Sequence, residues 1–408
     1  MQVPRAAAVY LGVVQFFFAL TWTVYVIFLP QLLARFGFER SDLIWILMAD
    51  QVVFAMVDVA AGVAVDRVGR TLGRLGAPIA AVTVFSCIAF LLLPQLPAEG
   101  SMRAVFLGLT FLWAASSSAL RAPAWVLLMK YAAAPAAPKL SALSVMGLAL
   151  ASILTPYLTA TLRNLDPRLP FALSSVSLLV TAAGLIWVER WIAQQPPVVE
   201  PAGELGQETA TQDASGANQE ARALAQASTR LLTLFLSGGA LLFLGYQAFS
   251  SFATAPQYLR YAPSEDLDWL FPVFWISFNI VTFPASVLAT RIGPVRLMGL
   301  SAALGAIGAL VATLAPDLSV TIAGQLISGA AWGGVLMAGF AAAVGFGREG
   351  REGLSLGTWF SVQAVATLAR MGIVAANLNR DPDFLAAVSW VPPILWLCGA
   401  AVFALLVR

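Results

Sequence analysis

Twelve stretches of the chain are apolar over roughly the 20 residues that a helix needs to cross the hydrocarbon of a bilayer. They run near 6–33, 43–65, 75–95, 103–129, 140–162, 169–192, 231–255, 267–290, 296–315, 318–346, 354–377 and 385–407. Several exceed the minimum, which predicts tilt or helical extensions. Pro123, Pro156, Pro272 and Pro284 fall inside them, a tolerable place because neighbouring helices re-satisfy the freed backbone groups. Residues 194–229 break the pattern: rich in Gln, Glu, Ala, Gly and Pro, they cannot bury a core and predict a mobile linker. The expected fold is an all-α membrane protein with 12 transmembrane helices in two pseudo-symmetric six-helix bundles, residues 1–193 and 230–408, joined by the linker 194–229.

The halves also resemble each other. Asp42-Leu43-Ile44-Trp45 recurs as Asp266-Leu267-Asp268-Trp269, and Arg67-Val68-Gly69 recurs at the same offset as Arg291-Ile292-Gly293. Pro30-Gln31 recurs as Pro256-Gln257 at nearly that offset. Landmarks in one order and at equivalent hydropathy positions point to a duplicated bundle. Such repeats build transporters whose binding site lies at the repeat interface near the midplane.

Composition agrees. Of 408 residues, 60% are hydrophobic and only 11% charged, against roughly 25% charged in soluble chains; the mean hydropathy is +0.83. A net charge of +2 offers no basic field for nucleic acid. The chain has no histidine, and its two cysteines, Cys87 and Cys398, sit in apolar runs and read as small buried hydrophobes. No metal site and no cofactor are expected. The first apolar stretch is too long for a secretory signal. Lys and Arg stand about two to one on the side carrying both termini, which places that side in the cytoplasm. The expected location is a bacterial cytoplasmic (inner) membrane, and the expected state is a monomer in the lipid bilayer.

Gly62-Val63-Ala64-Val65-Asp66-Arg67-Val68-Gly69-Arg70 lies between the second and third spans. Gly62 allows close approach of another helix. Asp66 can accept hydrogen bonds from amides at a helix start or from arginine. Gly69 permits a tight turn, and Arg67 and Arg70 stay in headgroup water. Here the chain resembles the major facilitator superfamily, whose signature loop has a glycine followed by Asp-Arg-x-Gly-Arg at this place. The resemblance implies that the loop latches the two halves on the cytoplasmic face; the alternative is that it only fixes topology. The second copy has Thr290 in place of Asp66. Span five lacks the glycine-rich element of the family's proton antiporters, which argues against antiport, and Lys130 stands where an acid is common at the inner end of span four.

Four ionisable residues fall well inside spans: Asp50, Asp58, Arg121 and Arg370. Each is costly there unless paired or wet, so each is a candidate for proton coupling or gating. At about 1.5 Å rise per residue, Asp50 and Arg370 both lie roughly 10 Å below the outer ends of their helices. In the facilitator fold spans two and eleven face each other. We therefore expect an Asp50–Arg370 pair that closes the outer side, protonation of Asp50 favouring outward opening; a static ion pair is the alternative. Asp58 and Arg121 are also matched in depth, within the first bundle. They read as a structural pair, or as an arginine released to bind an anionic substrate when Asp58 is protonated. Ser116, Ser117 and Ser118 are placed to hydrate Arg121.

The resemblance implies that spans one, four, seven and ten line the path. Span one offers Gln15, Phe18, Trp22 and Tyr25; span seven Tyr246, Gln247, Ser250 and Ser251; span ten Gln325, Ser328 and Trp332. Aromatic walls with scattered amides suit an amphipathic or anionic organic molecule better than a bare ion. The function expected is proton-coupled secondary transport of a small organic solute by alternating access, with export favoured over import on the lining alone. An uncoupled facilitator is the nearest rival, and a membrane scaffold or assembly factor the rival of another class. No nucleophile–base set, metal cluster or phosphate-binding loop marks an enzyme.

Overall fold

The computed structural model describes residues 5–72, 75–97, 99–130, 137–193, 214–347 and 350–407. Among these, helices account for all regular structure. In chain order the membrane-length elements are α1 (Arg5–Arg35), α2 (Asp42–Leu72), α3 (Gly76–Leu92) and α4 (Arg103–Ser118, resuming as Arg121–Lys130). Then come α5 (Ala137–Leu162), α6 (Arg168–Ala193), and α7 (Ala214–Ala248, continued through Thr254–Leu259). The rest are α8 (Leu267–Ile292), α9 (Pro294–Thr313), α10 (Leu318–Phe346), α11 (Glu352–Ala375) and α12 (Pro382–Val388, resuming as Val391–Leu406). Ten of these segments are long and apolar enough to cross a membrane unaided among the described residues. The other two are α6, whose described apolar part is shorter, and α11, which carries Ser355, Thr358, Ser361, Gln363, Thr367 and Arg370.

Three helices are interrupted, and proline explains each. α4 stops at Ser118 and restarts at Arg121, so Pro123 falls in a first turn, where a missing N–H costs nothing. α12 restarts with Pro392 and Pro393 in its first turn. In α7 the turn Phe249–Ala253 widens to π geometry just before Pro256. The Phe249 carbonyl accepts the backbone amide of Thr254, the i to i+5 bond of that turn, and the Thr254 hydroxyl donates to the same oxygen (2.9 Å). The linker expected at 194–229 lies partly outside the described residues; its described part, 214–229, is helical and continuous with α7.

The exterior is apolar and polarity is inside, the reverse of a soluble protein. Ile280, Val180, Leu300, Met56 and Leu397 are all more than half exposed, whereas Asp50, Asp58, Gln257, Gln325 and Thr282 are buried. That distribution fits a lipid surround. Cys87 is buried, but Cys398 is exposed, correcting the expectation that both pack inside.

The two halves meet along two seams, α2 against α11 and α5 against α8. The repeat maps α2 onto α8 and α5 onto α11, so the seams are copies of one another. This is the relation expected of two like bundles about an axis along the membrane normal. With twelve spans, both chain ends lie on one side, called here the terminal face.

Candidate functional site

Three levels of the α2–α11 seam carry the residues singled out by the sequence. Nearest the terminal face is Asp66. Its Oδ1 accepts the amide of Gly353 (2.7 Å) and its Oδ2 that of Leu354 (2.9 Å). These are first-turn amides of α11, which have no partner within their own helix. The residue at the N-cap, Arg351, supplies no side-chain cap. Asp66 thus caps α11 from the other bundle, its charge at the positive end of the helix dipole. The backbones touch closely: a Cβ on Gly62 would overlap the Gly353 carbonyl, and one on Gly357 would overlap the carbonyl of Asp58. Gly69 makes no turn, contrary to expectation, because α2 continues helical to Leu72. Arg67 is exposed; the side chain of Arg70 lies outside the described residues.

About two turns deeper, Asp58 and Arg121 are joined. Arg121 Nη1 donates to Asp58 Oδ2 at 3.1 Å, and Ser118 Oγ to Oδ1 at 2.7 Å. Of the three serines expected near Arg121, Ser118 therefore serves the acid, and Ser116 donates to the Trp113 carbonyl. The interruption after Ser118 puts that hydroxyl and Arg121 on the same carboxylate. The guanidinium lies over the rings of Phe360 on α11 (4.6 Å) and Phe54 on α2 (5.5 Å), so its remaining faces are largely covered. Across the seam, Ser361 Oγ donates to the Ala55 carbonyl (2.9 Å), and Trp125 of α4 stacks on Phe340 of α10 (4.1 Å).

At the deepest level, Asp50 is fully buried and accepts from the Tyr25 hydroxyl at 2.7 Å through Oδ2; Oδ1 has no partner. The expected Asp50–Arg370 pair is not formed. A tyrosine within the first bundle holds the acid, while Arg370 lies beside Tyr246. Tyr246 stacks flat on Trp332 (4.4 Å, 3°), and Gln247 donates to Thr367 of α11 (2.9 Å).

The expected lining is only partly brought together. Trp22, Tyr246 and Gln247 are half-buried, and Ser250 and Ser251 exposed. Tyr25 is instead fully buried, turned toward Asp50. Gln15 and Phe18 face a small cleft inside the first bundle, with Ile79, Thr83, Arg121 and Leu178, rather than the space between bundles. Gln325 is wholly buried and donates to Gln257 (3.1 Å) and Thr254 (3.4 Å), and Gln257 in turn donates to Thr313 (3.2 Å). That internal network, not a solute path, uses its amide. Trp332 and Ser328 are likewise buried, Trp332 between Tyr246, Phe243 and Trp396.

Sequence reasoning missed the receiving side of the seam. Gly353, Leu354 and Gly357 were not singled out, although Gly353 and Gly357 form the small-xxx-small spacing of close helix crossings. Gln363 was also missed; as a lone amide it has no spacing signature.

No protein-family profile matches the sequence, and no curated protein matches it either. Solved structures do. The E. coli fucose:proton symporter FucP is 15% identical with a TM-score of 0.65, over 100% of this chain and 99% of that one. FucP in an outward conformation is 13% identical with the same TM-score, over 98% of each chain. The human organic anion transporter MFSD10 (TETRAN) is 16% identical with a TM-score of 0.62 over the full length of both. The chain has the all-helical fold of the major facilitator superfamily, two six-helix bundles in one membrane-embedded body.

Proposed function

We propose that this chain is a secondary transporter that moves a small organic solute by alternating access and couples the movement to protons through Asp50. The observation that carries the reading is a buried carboxylate with one oxygen on Tyr25 and the other free, on α2, one of the helices that form the seam where the two bundles must part. A charged group at that depth is expensive unless paired or protonated. Proton uptake at Asp50 is the step that would let the bundles separate around it, and Tyr25 is the titratable group it touches. Arg370 at matched depth is the partner Asp50 takes when the outer side closes, a state opposite to the one in which Asp66 caps α11. Asp58 and Arg121 hold the first bundle together beneath the central space. Gly62, Asp66, Arg67, Gly69 and Arg70 form the latch region on the terminal face, which is cytoplasmic in this reading. Residues 1–193 and 230–408 are the two moving bodies, joined through 194–229 and acting as a monomer in a cytoplasmic membrane.

The test is solute flux in proteoliposomes across an imposed pH gradient. Wild-type protein should drive solute against its gradient at the expense of the imposed proton gradient. Asp50→Asn should still equilibrate solute but lose the proton-driven component. Export is the expected direction; accumulation on the side of low proton concentration would replace it by import. Proton-driven flux of wild-type rate in Asp50→Asn would refute the coupling role, and no flux of any solute would refute transport.

A further inference from the structure

We propose, building on the transporter reading, that Arg370 is the anion-recognition residue of the central space and that the solute carries a carboxylate on an apolar or aromatic body. Four ionisable side chains lie inside the spans, and three are accounted for. Asp58 and Arg121 hold each other, and Asp50 is held by Tyr25. Arg370 is the remainder. It is half-buried, forms neither of the ion pairs found among the described residues, and its Nε is buried with no acceptor. A guanidinium keeps its charge under all ordinary conditions and offers five donors in a planar fork that matches a carboxylate. A buried Nε left without an acceptor at this depth is costly, so the position is complementary to an anionic group.

The surroundings have the same bias toward donors. Gln363 and Thr367 share a helical face of α11 with Arg370. Thr367 accepts from Gln247 (2.9 Å), and Gln363 Nε2 is buried without an acceptor. Tyr246 lies beside Arg370, its ring flat on Trp332, whose Nε1 is a third buried donor without a partner. Phe274 and Trp275 complete that wall (6.0 and 6.3 Å from Tyr246). Two unmatched donors on one helical face beside an aromatic wall call for an acceptor-rich ligand with a flat or greasy remainder. Arg121, the other intramembrane cation, is a poorer choice: its charge is met by Asp58 and its faces by Phe54 and Phe360. The bound carboxylate and an Asp50 swung across the seam would be alternative partners for one guanidinium.

The test uses the purified full chain and matched aromatic pairs, benzoate with benzamide and 4-phenylbutyrate with its amide, read by tryptophan fluorescence and by thermal shift. At least one acid should bind, and its amide should bind at least about tenfold more weakly, the scale of hydrogen bonds to a charged group. Arg370→Gln should lose the acid by a similar factor, and Arg370→Lys should restore part of it. Gln363→Leu, which leaves the charge in place, should weaken it by several-fold. The double variant Asp58→Asn/Arg121→Gln, which removes both members of that ion pair, should leave the acid-over-amide preference intact. Equal binding of acid and amide, full acid affinity in Arg370→Gln, or no response to either acid would overturn the assignment. Acid binding that depends on Arg370, found together with no flux of any solute in proteoliposomes, would leave the site standing and sink the transporter reading instead.

Discussion

Replacing Asp66 by alanine removes both acceptors from the first turn of α11 while leaving the glycine contacts beside it intact. Hydrogen bonds to a charged group contribute about 1.5–3 kcal/mol each, so the two at 2.7 and 2.9 Å have a ceiling of about 3–6 kcal/mol. The amides lie near the terminal end of the helix, where water meets them once the seam opens, and this recovers a good part of the loss. A net bias of about 2–3 kcal/mol remains. At about 1.4 kcal/mol per factor of ten, the equilibrium between closed and open terminal faces should move toward open by about 30–140-fold. Asp66→Asn retains one acceptor oxygen and should move it about half as far on the energy scale. The assay is a spin-label distance distribution between cysteines placed at Ala64 on α2 and Arg351 at the start of α11, both exposed, with Cys398 changed to serine. The distribution should shift to longer distances in Asp66→Ala and less in Asp66→Asn. Superimposable distributions for the wild-type and Asp66→Ala proteins would show that the two hydrogen bonds carry no closing bias.

Other consequences can be measured directly. Asp58→Asn strips Arg121 of its counter-ion; breaking one side of a buried pair costs about 3–5 kcal/mol, so the variant should melt well below wild type in detergent, and adding Arg121→Gln should recover part of the loss. Gly357→Leu places a side chain where the Asp58 carbonyl lies; the same spin-label pair should report a widened seam even with Asp66 present. Trp396 is buried, stacks with Trp332 (5.9 Å) and donates through Nε1 to the Leu242 carbonyl (3.0 Å). Trp396→Ala should therefore destabilise the second bundle by about 3–5 kcal/mol, seen as a lower melting temperature.

Helix number and order were legible because a bilayer imposes a length on every apolar run. The breaks were not: Pro123 inside a long apolar stretch reads as a tolerated kink, and only the structure shows the helix restarting so that the proline sits in a first turn. The Asp58–Arg121 pair was legible because two opposite charges at one depth in one bundle have few other partners. The same reasoning, applied to Asp50 and Arg370, met a competitor that charge patterns do not reveal, the neutral hydroxyl of Tyr25. Asp66 was legible as a donor-seeking acid, but its targets are backbone amides, which leave no mark in a sequence. Gln15 and Gln325 illustrate the limit of helical stripes. A stripe shows which residues share a face, while the neighbours that decide whether that face meets solute or protein come from distant parts of the chain.

The duplication that built the two seams did not leave them equal. Where α2 presents Asp66, its copy in α8 presents Thr290, whose hydroxyl is spent on the Val287 carbonyl of its own helix (2.7 Å). At this position one flank of the terminal face is therefore fastened by charge, and among the described residues the other has no such cap. A molecule slipping in sideways from the lipid would meet different thresholds on the left and on the right. Changes in ionic strength or surface charge should act on one of those thresholds far more than on the other.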